Sequence, residues 1–158
     1  MKTGDLDLAY ARIADTDAIA HLTRDTVEHG LGWTYRADRI ARYVRDPDVV
    51  VLVARRERRF AGVAIMQFGD ERAHLVLMAV MPAERRRGIA RRMLAWLVES
   101  AQVAGVMSVH VELRAGNHAA HALYRAAGFA ESLRIPGYYR GRETAVRMLR
   151  LLRPARAA

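Results

Sequence analysis

The first third of the chain changes from a strand pattern to two helix patterns. Residues 7–13 read as a short strand, after which Asp15 or Asp17 could cap a helix that ends at Gly30. A second short helix is expected over 37–45, where it stops before Asp46-Pro47 because a proline disfavours helical geometry in the residue ahead of it. This region therefore predicts one strand and two short helices.

The middle of the chain contains apolar runs whose length is typical of β-strands. A β-branched run over 49–54 and a second run over 60–68 flank the polar turn 55–59, which predicts a hairpin. A third run over 73–80 follows another turn. We therefore expect three consecutive antiparallel strands, a meander that closes at Pro82.

From Gly88 the apolar period becomes helical. Five positions recur every three to four residues and predict a helix of about four turns that ends at Gly105. Its expected inward residues are Ile89, Met93, Leu97, Ala101 and Ala104. The remaining patterns predict a strand over 106–113, a helix over 117–127 with Ala120, Leu123 and Ala127 inward, and strands over 129–135 and 144–152.

These elements predict a mixed α/β fold in the order β-α-α-β-β-β-α-β-α-β-β. The chain has 158 residues, the size of one domain, and 52% of them are hydrophobic, so it can bury a core. We expect a single domain over 1–152 and a loose tail over 153–158.

Charge and composition narrow the possible classes. The net charge is +9, and Lys2 is the only lysine, so 25 of the 26 basic residues are arginines. This charge could indicate a polyanionic partner or only an arginine-rich composition. With no cysteine, thiolate metal sites and a cysteine nucleophile are excluded. No apolar run is long enough for a membrane span, and the polar start is unlike a signal peptide, so we expect a cytoplasmic protein.

The segment Arg85-Arg86-Arg87-Gly88-Ile89-Ala90 lies where a strand ends and the long helix begins. A helix start presents unpaired N–H groups with partial positive charge, and Gly88 and Ala90 lack the bulk that would keep a phosphate away. The segment therefore predicts a pyrophosphate site. The alternative is an arginine-rich surface that only caps the helix.

Arg85-x-x-Gly88-x-Ala90 is followed by a strand and then by Asn117-x-x-Ala120-x-x-Leu123-Tyr124-x-x-x-Gly128-Phe129. The two motifs and their element order resemble the acyl-CoA-binding core of the GNAT N-acetyltransferase superfamily. The resemblance implies the GNAT fold, a central, mostly antiparallel twisted sheet of about seven strands flanked by about four helices. It also implies that the loop binds the pyrophosphate of acetyl-CoA.

A narrower resemblance is carried by the stretches 112–117 and 138–148, which look like those of the bacterial ribosomal-protein alanine N-acetyltransferases. Glu112 and Tyr124 keep the twelve-residue spacing of that group's glutamate and tyrosine, and two adjacent tyrosines precede the last strand. Two residues depart from the group: Arg85 replaces the usual Gln, and Ala90 the usual Gly.

The resemblance implies a set of cofactor-binding residues. The strand before the loop would hold the acetyl and pantetheine portions through its backbone, and Asn117 would contact the cofactor arm while also capping its helix. The implied set is Met78, Ala79, Val80, Arg85, Arg86, Arg87, Gly88, Ile89, Ala90, Asn117 and Tyr124.

The resemblance also suggests the catalytic pair Glu112 and Tyr124. An amine attacks a thioester only when it is neutral, so a carboxylate such as Glu112 could accept its proton directly or through water, aided by a pKa raised on partial burial. Tyr124, with a phenol pKa of about 10, could protonate the departing thiolate. The alternatives are an ion pair of Glu112 with a neighbouring arginine and a core role for Tyr124 beside Phe129.

Other aromatic and histidine residues have weaker signals. The loop aromatics Trp33, Tyr35, Tyr138 and Tyr139 could line the acceptor pocket or simply anchor their loops. His118 and His121 have one metal-ligand spacing but lack a third ligand, and we expect no metal. His74 and His110 lie on strands and could assist proton removal, although satisfied structural histidines are the better interpretation.

The sequence therefore predicts an acetyl-CoA-dependent N-acetyltransferase that transfers acetyl directly within a ternary complex. The expected acceptor is a protein or peptide N-terminal α-amine, with a small-molecule amine as the alternative. A nucleic-acid-binding module and a non-catalytic CoA sensor are less favoured, because the arginines are dispersed and the Glu112–Tyr124 pair is present. We expect no nucleic-acid or membrane partner, and a monomer or a homodimer.

Overall fold

The computed structural model describes residues 5–27 and 32–152. The predicted helix end at Gly30 and the predicted tail 153–158 lie outside these residues. The described strands are β1 (Leu6–Tyr10), β2 (Val49–Arg56), β3 (Arg59–Phe68), β4 (Arg72–Val80), β5 (Ser108–Arg114), β6 (Ala130–Tyr139) and β7 (Glu143–Leu151). The helices are α1 (Thr16–Asp25), α2 (Ala37–Arg45), α3 (Ile89–Ala104) and α4 (His118–Ala126), with 3-10 turns at Ile13–Asp15 and Pro82–Glu84.

The predicted mixed α/β class and element order are confirmed. The strands hydrogen-bond in the order β1-β2-β3-β4-β5-β7-β6. The pairs β1–β2, β2–β3, β5–β7 and β6–β7 are antiparallel, whereas β4–β5 is parallel. None of the helices in 5–27 and 32–152 is long and apolar enough to cross a membrane.

The chain divides into two compact units. The N-terminal unit contains the described residues up to Gln67 together with Leu77–Leu94, and the C-terminal unit contains Phe68–Val76 together with residues 95–152. In the N-terminal unit, α2 contacts α1 and β2. The fully buried side chains of this core include Ile19, Ile40, Leu52, Ile65 and Met93.

The start of the N-terminal unit differs from the prediction in two ways. β1 ends at Tyr10, and Ile13 begins a 3-10 turn instead of ending the strand. Asp15 stands at the N-cap position of α1, but its carboxylate makes no cap. It instead accepts a hydrogen bond from Arg12 N and pairs with Arg55, because a nearby guanidinium is a stronger partner than a helix amide.

The β2–β3 hairpin is tighter than the five-residue turn that the sequence suggests. Strand pairing continues to Arg56 and Arg59, so only Glu57 and Arg58 form the turn. Both have positive φ, 53° and 67°, as a two-residue turn between twisted strands requires. The polar residues 55, 56 and 59 therefore belong to strands.

In the sheet, β5 lies between β4 and β7. Of the inward positions predicted for α3, Ile89, Met93, Leu97 and Ala101 are buried, whereas Ala104 is exposed because the helix ends there. On α4, the predicted inward residues are only half-buried, and Tyr124 is the buried side chain. β6 continues beyond Ile135 to Tyr139, so Tyr138 and Tyr139 lie in a strand, where a loop was predicted.

Candidate active site

The loop before α3 has the backbone of an anion site. After the turn Pro82–Glu84, Arg86 has φ of 64° and Gly88 has φ of 77°. A Cβ placed on Gly88 would meet no atom within 4 Å, so the space beside this residue is open. The first N–H groups of a helix have no intrahelical partner. The loop therefore has both the room and the donors that a pyrophosphate needs.

The side chains of this loop divide by exposure. Arg85, Arg86 and Arg87 are exposed, so they can meet a charged ligand. The Ile89 side chain is buried in the core. Its backbone N–H is therefore the group of this residue that could bind a pyrophosphate. The predicted cofactor residues Met78, Ala79 and Val80 are the last three of β4, in the same N-terminal unit.

Glu112 lies at the centre of a polar cluster in the C-terminal unit. Its register partner across the antiparallel β5–β7 pair is Arg147, whose Nε donates to Glu112 Oε2 at 3.1 Å. The Tyr139 hydroxyl donates to Glu112 Oε1 at 3.3 Å. The Glu112 side chain is 22% exposed and that of Arg147 is 47% exposed. The ion pair that was considered as an alternative role for Glu112 is thus present. It is formed with Arg147, and both side chains are partly exposed to solvent.

The two tyrosines before the last turn belong to this cluster. Tyr138 and Tyr139 pack edge to face, with ring centroids 5.1 Å apart. Burial raises the pKa of Tyr139, and the charge and hydrogen bond of Glu112 raise it further, so the hydroxyl remains a donor. The Arg114 guanidinium lies 5.8 Å from the centroid of the Tyr139 ring and pairs with Glu143 at 3.6 Å.

His74 is electrostatically coupled to Glu112. Partial desolvation lowers the pKa of His74, the charge of Glu112 opposes that change, and Arg147 adds to it. His74 is therefore mainly neutral at pH 7. Its register partner on β5 is His110, which hydrogen-bonds to Ser108 Oγ at 2.8 Å. Desolvation also lowers the pKa of His110, and so do Arg72 and His74.

Tyr124 is 5% exposed, and its ring packs against Phe129 with centroids 5.6 Å apart. Burial raises the pKa of Tyr124 above the ordinary phenol value assumed from the sequence. The hydroxyl is therefore protonated at neutral pH and can donate, although full proton transfer is harder than for an exposed phenol.

Asn117 caps α4, because its Oδ1 accepts from Ala120 N at 3.1 Å. The predicted cap is confirmed, and a contact with the cofactor stays a prediction. On the same helix, His121 Nε2 lies 3.3 Å from Glu131 Oε2. Within the described ranges, no group of three or more metal-ligating side chains could hold a metal ion.

The loop aromatics of the N-terminal unit are covered by arginines. The guanidinium carbons of Arg24 and Arg36 lie 5.2 and 4.8 Å from the Trp33 ring centroid. That of Arg39 lies 4.4 Å from the Tyr35 centroid. These cation–π contacts agree with the alternative role of Trp33 and Tyr35, in which the two rings anchor their loop. An acceptor-binding role for Trp33 and Tyr35 stays a prediction.

Sequence reasoning missed the partners of the candidate site residues. Arg147 and Arg114 reach the cluster through strand pairing, and Arg56 reaches Glu84 across 28 residues. The twelve-residue spacing of Glu112 and Tyr124 carries no information about these contacts. Arg147 stands between the apolar residues Val146 and Met148, which was the available signal, and it does not reveal which strand lies beside β7.

The fold and the loop before α3 define an acyltransferase architecture, and residues 16–129 match the model of the acetyltransferase (GNAT) family. The chain belongs to this family. It is 39% identical over 93 residues to the [ribosomal protein bS18]-alanine N-acetyltransferase of Salmonella typhimurium. That alignment covers 57% of this chain and 63% of the relative, so less than two thirds of the relative's length is spanned.

Two longer matches extend the comparison. The chain is 28% identical over 160 residues to an N-alpha-acetyltransferase of Saccharolobus solfataricus, with 96% of each protein covered. The crystal structure of the ribosomal-protein-S18-alanine N-acetyltransferase from Escherichia coli superposes with a TM-score of 0.84 at 27% identity, again over 96% of each chain. The predicted GNAT fold and the predicted subgroup resemblance are confirmed.

Proposed function

We propose that this protein is an acetyl-CoA-dependent N-acetyltransferase whose preferred acceptor is the N-terminal α-amine of a protein or peptide. The observation that carries the proposal is the loop before α3, where Gly88 has positive φ and open space beside its backbone. Membership of the GNAT family supports the reaction class. The names of the Salmonella and Saccharolobus relatives support an α-amine as the acceptor.

The residues of the loop fit a pyrophosphate, for a physical reason that does not depend on the family. Residues 86 and 88 have left-handed backbones directly before α3, whose first N–H groups have no intrahelical partner, and three exposed arginines supply charge. In the proposal, the backbones of Met78, Ala79 and Val80 bind the pantetheine and acetyl portions. Residues 85–90 bind the pyrophosphate, and Asn117 and Tyr124 complete the set.

Acetyl-CoA, when bound, supplies a thioester carbonyl that a neutral amine can attack. Glu112 accepts the proton that the acceptor ammonium must lose, directly or through a water molecule. Tyr124 donates its hydroxyl proton to the sulfur as the C–S bond breaks and the C–N bond forms. The acetyl group passes directly to the amine within a ternary complex, and the chain has no cysteine that could carry an acyl group.

The acceptor side of the proposal rests on the cluster around Glu112. Tyr138 and Tyr139 lie beside the carboxylate that would take the proton, so they are placed to contact the acceptor. Trp33 and Tyr35 are included as further acceptor contacts, with weaker support because arginines cover their rings.

Saturating acetyl-CoA is expected to raise the melting temperature. At 100 times Kd the gain is about 2.7 kcal/mol, or about 5–10 °C for a chain of this size. Gly88→Ala is expected to abolish most of this shift. Gly105→Ala is the matched control, since Gly105 has φ of 79° with nothing within 4 Å and lies at the other end of α3. Absence of any shift in the unmodified protein would remove the cofactor from the proposal.

An acceptor screen tests the amine. We expect turnover of acetyl-CoA with peptides that have a free N-terminal alanine, and no turnover with the same peptides when the terminal amine is blocked and only a lysine amine is free. Mass spectrometry of the product locates the acetyl group. Turnover confined to polyamines, amino acids or aminoglycosides would replace the peptide acceptor with a small amine.

A further inference from the structure

An ion pair joins the turn before the arginine-rich loop to strand β2. Glu84 is the last residue of the Pro82–Glu84 turn, and its Oε2 and Oε1 accept from Arg56 Nε at 2.6 Å and from the second terminal nitrogen at 3.1 Å. The side chains are 22% and 18% exposed. A guanidinium that meets both carboxylate oxygens fixes orientation as well as distance.

Glu84 also reaches the loop itself. Its Oε2 lies 3.9 Å from Arg87 Nε. The hydrogen bond from Arg56 is the largest cause that holds the pKa of Glu84 below its usual range, so this carboxylate is ionised at neutral pH. Glu84 is the only acidic residue between Met81 and Arg92 in the sequence. It therefore links a strand arginine with an arginine of the loop.

The loop that follows is one that requires external support. Arg86 adopts a left-handed backbone that costs energy for a residue with a Cβ, and such conformations persist only where the surroundings enforce them. Arg85, Arg86 and Arg87 are adjacent, exposed and of like charge. Without an anchor, repulsion and backbone strain would both favour other loop conformations.

We propose that Arg56, acting through Glu84, is a positioning residue for the pyrophosphate loop. It holds residues 85–88 in the binding conformation before the ligand arrives, so less conformational entropy is lost on binding. Arg56 touches neither the reacting atoms nor, in this proposal, the ligand. The inference rests on the proposed function, because it assigns acetyl-CoA to this loop.

The neighbouring residue provides a matched control. Arg55 forms an ion pair with Asp15, and their side chains are 18% and 12% exposed. This pair anchors the Ile13–Asp15 turn before α1, which is not part of the loop. Arg55→Met therefore removes the same charge and a similar ion pair from the adjacent strand position, and leaves Glu84 anchored.

The experiment measures acetyl-CoA binding by calorimetry and amide hydrogen exchange in the free protein. Arg56→Met is expected to raise Kd about tenfold, the loss of one charged hydrogen-bonded contact, with kcat within about twofold of the unmodified protein. Arg55→Met is expected to change Kd less than about threefold. Amides 84–90 should exchange faster in Arg56→Met and not in Arg55→Met.

Two further variants separate position from charge. Arg56→Lys keeps the positive charge but lacks the planar guanidinium that meets both carboxylate oxygens. Its Kd for acetyl-CoA is therefore expected to be raised nearly as much as that of Arg56→Met. The double variant Arg56→Glu with Glu84→Arg exchanges the two charges. It is expected to bind acetyl-CoA more tightly than Arg56→Glu alone. The melting temperature of each variant is measured, so that loss of the fold is separated from loss of the anchor.

Several results would overturn the inference. Equal weakening by Arg55→Met and Arg56→Met would show that net charge alone matters. Unchanged Kd and unchanged loop exchange in Arg56→Met would show that the loop needs no anchor. Failure of the unmodified protein to bind acetyl-CoA would instead remove the proposed function, and that result is distinguishable because it does not depend on any variant.

Discussion

Tyr124→Phe is expected to lower kcat about 100-fold or more, the usual contribution of a positioned proton donor, with little change in Kd for acetyl-CoA. The ring is buried against Phe129, and phenylalanine keeps that packing. Steady-state kinetics with saturating acceptor, and calorimetry for the cofactor, measure the two quantities separately.

The control for Tyr124→Phe is another tyrosine that loses its hydroxyl. Tyr43→Phe removes a hydroxyl on α2 that accepts from Arg39 at 3.2 Å, and we expect kcat within about twofold of the unmodified protein. If Tyr124→Phe also retained kcat within that range, the hydroxyl would have no role as the acid. Tyr124 would then be the core residue of the alternative interpretation.

Glu112→Gln is the second prediction with a large effect, and we again expect a loss in kcat of about 100-fold or more. Glutamine has the size of glutamate, and its amide oxygen can still accept from the Tyr139 hydroxyl, so the cluster keeps its shape. It cannot take a proton from the acceptor ammonium. The measurement is kcat as a function of pH, with the melting temperature as the check on folding.

The ion pair with Arg147 makes a second variant necessary. Arg147→Gln also breaks the pair but leaves the carboxylate, so a much smaller loss in kcat is expected if Glu112 is the base. Equal losses from the two variants would assign the effect to the ion pair. An acidic limb of the pH–rate profile that does not move in Glu112→Gln would assign the base to His74, which is coupled to Glu112, or to its register partner His110.

Patterns within a short stretch of sequence were sufficient for most elements. The end of α2 agrees with the stop before Asp46-Pro47, and the start of α3 agrees with the apolar spacing, because an amphipathic helix repeats its apolar side chains every three to four residues. The loop of residues 85–90 was visible for the same reason, since a strand end, a glycine and a helix start are all local features. The motif resemblance then identified the family without any tertiary contact.

Long-range pairing decided what those patterns left open. β7 lies between β5 and β6, and this order brings Arg147 beside Glu112. The partners of Asp15 and Glu84 come from β2, so Asp15 forms an ion pair with Arg55 instead of the expected helix cap, and Glu84 pairs with Arg56. Nothing in a local window records which distant strand supplies a partner.

The sequence alone therefore determined the element order, the glycine-containing loop before α3 and the family. Only the tertiary structure determined that Glu112 is held by Tyr139 and Arg147, that Tyr124 is buried and that Arg56 pairs with Glu84. The physical reason is that backbone periodicity and turn chemistry act within a few residues of the chain. Charge pairing and burial depend on the register between strands that are distant in sequence.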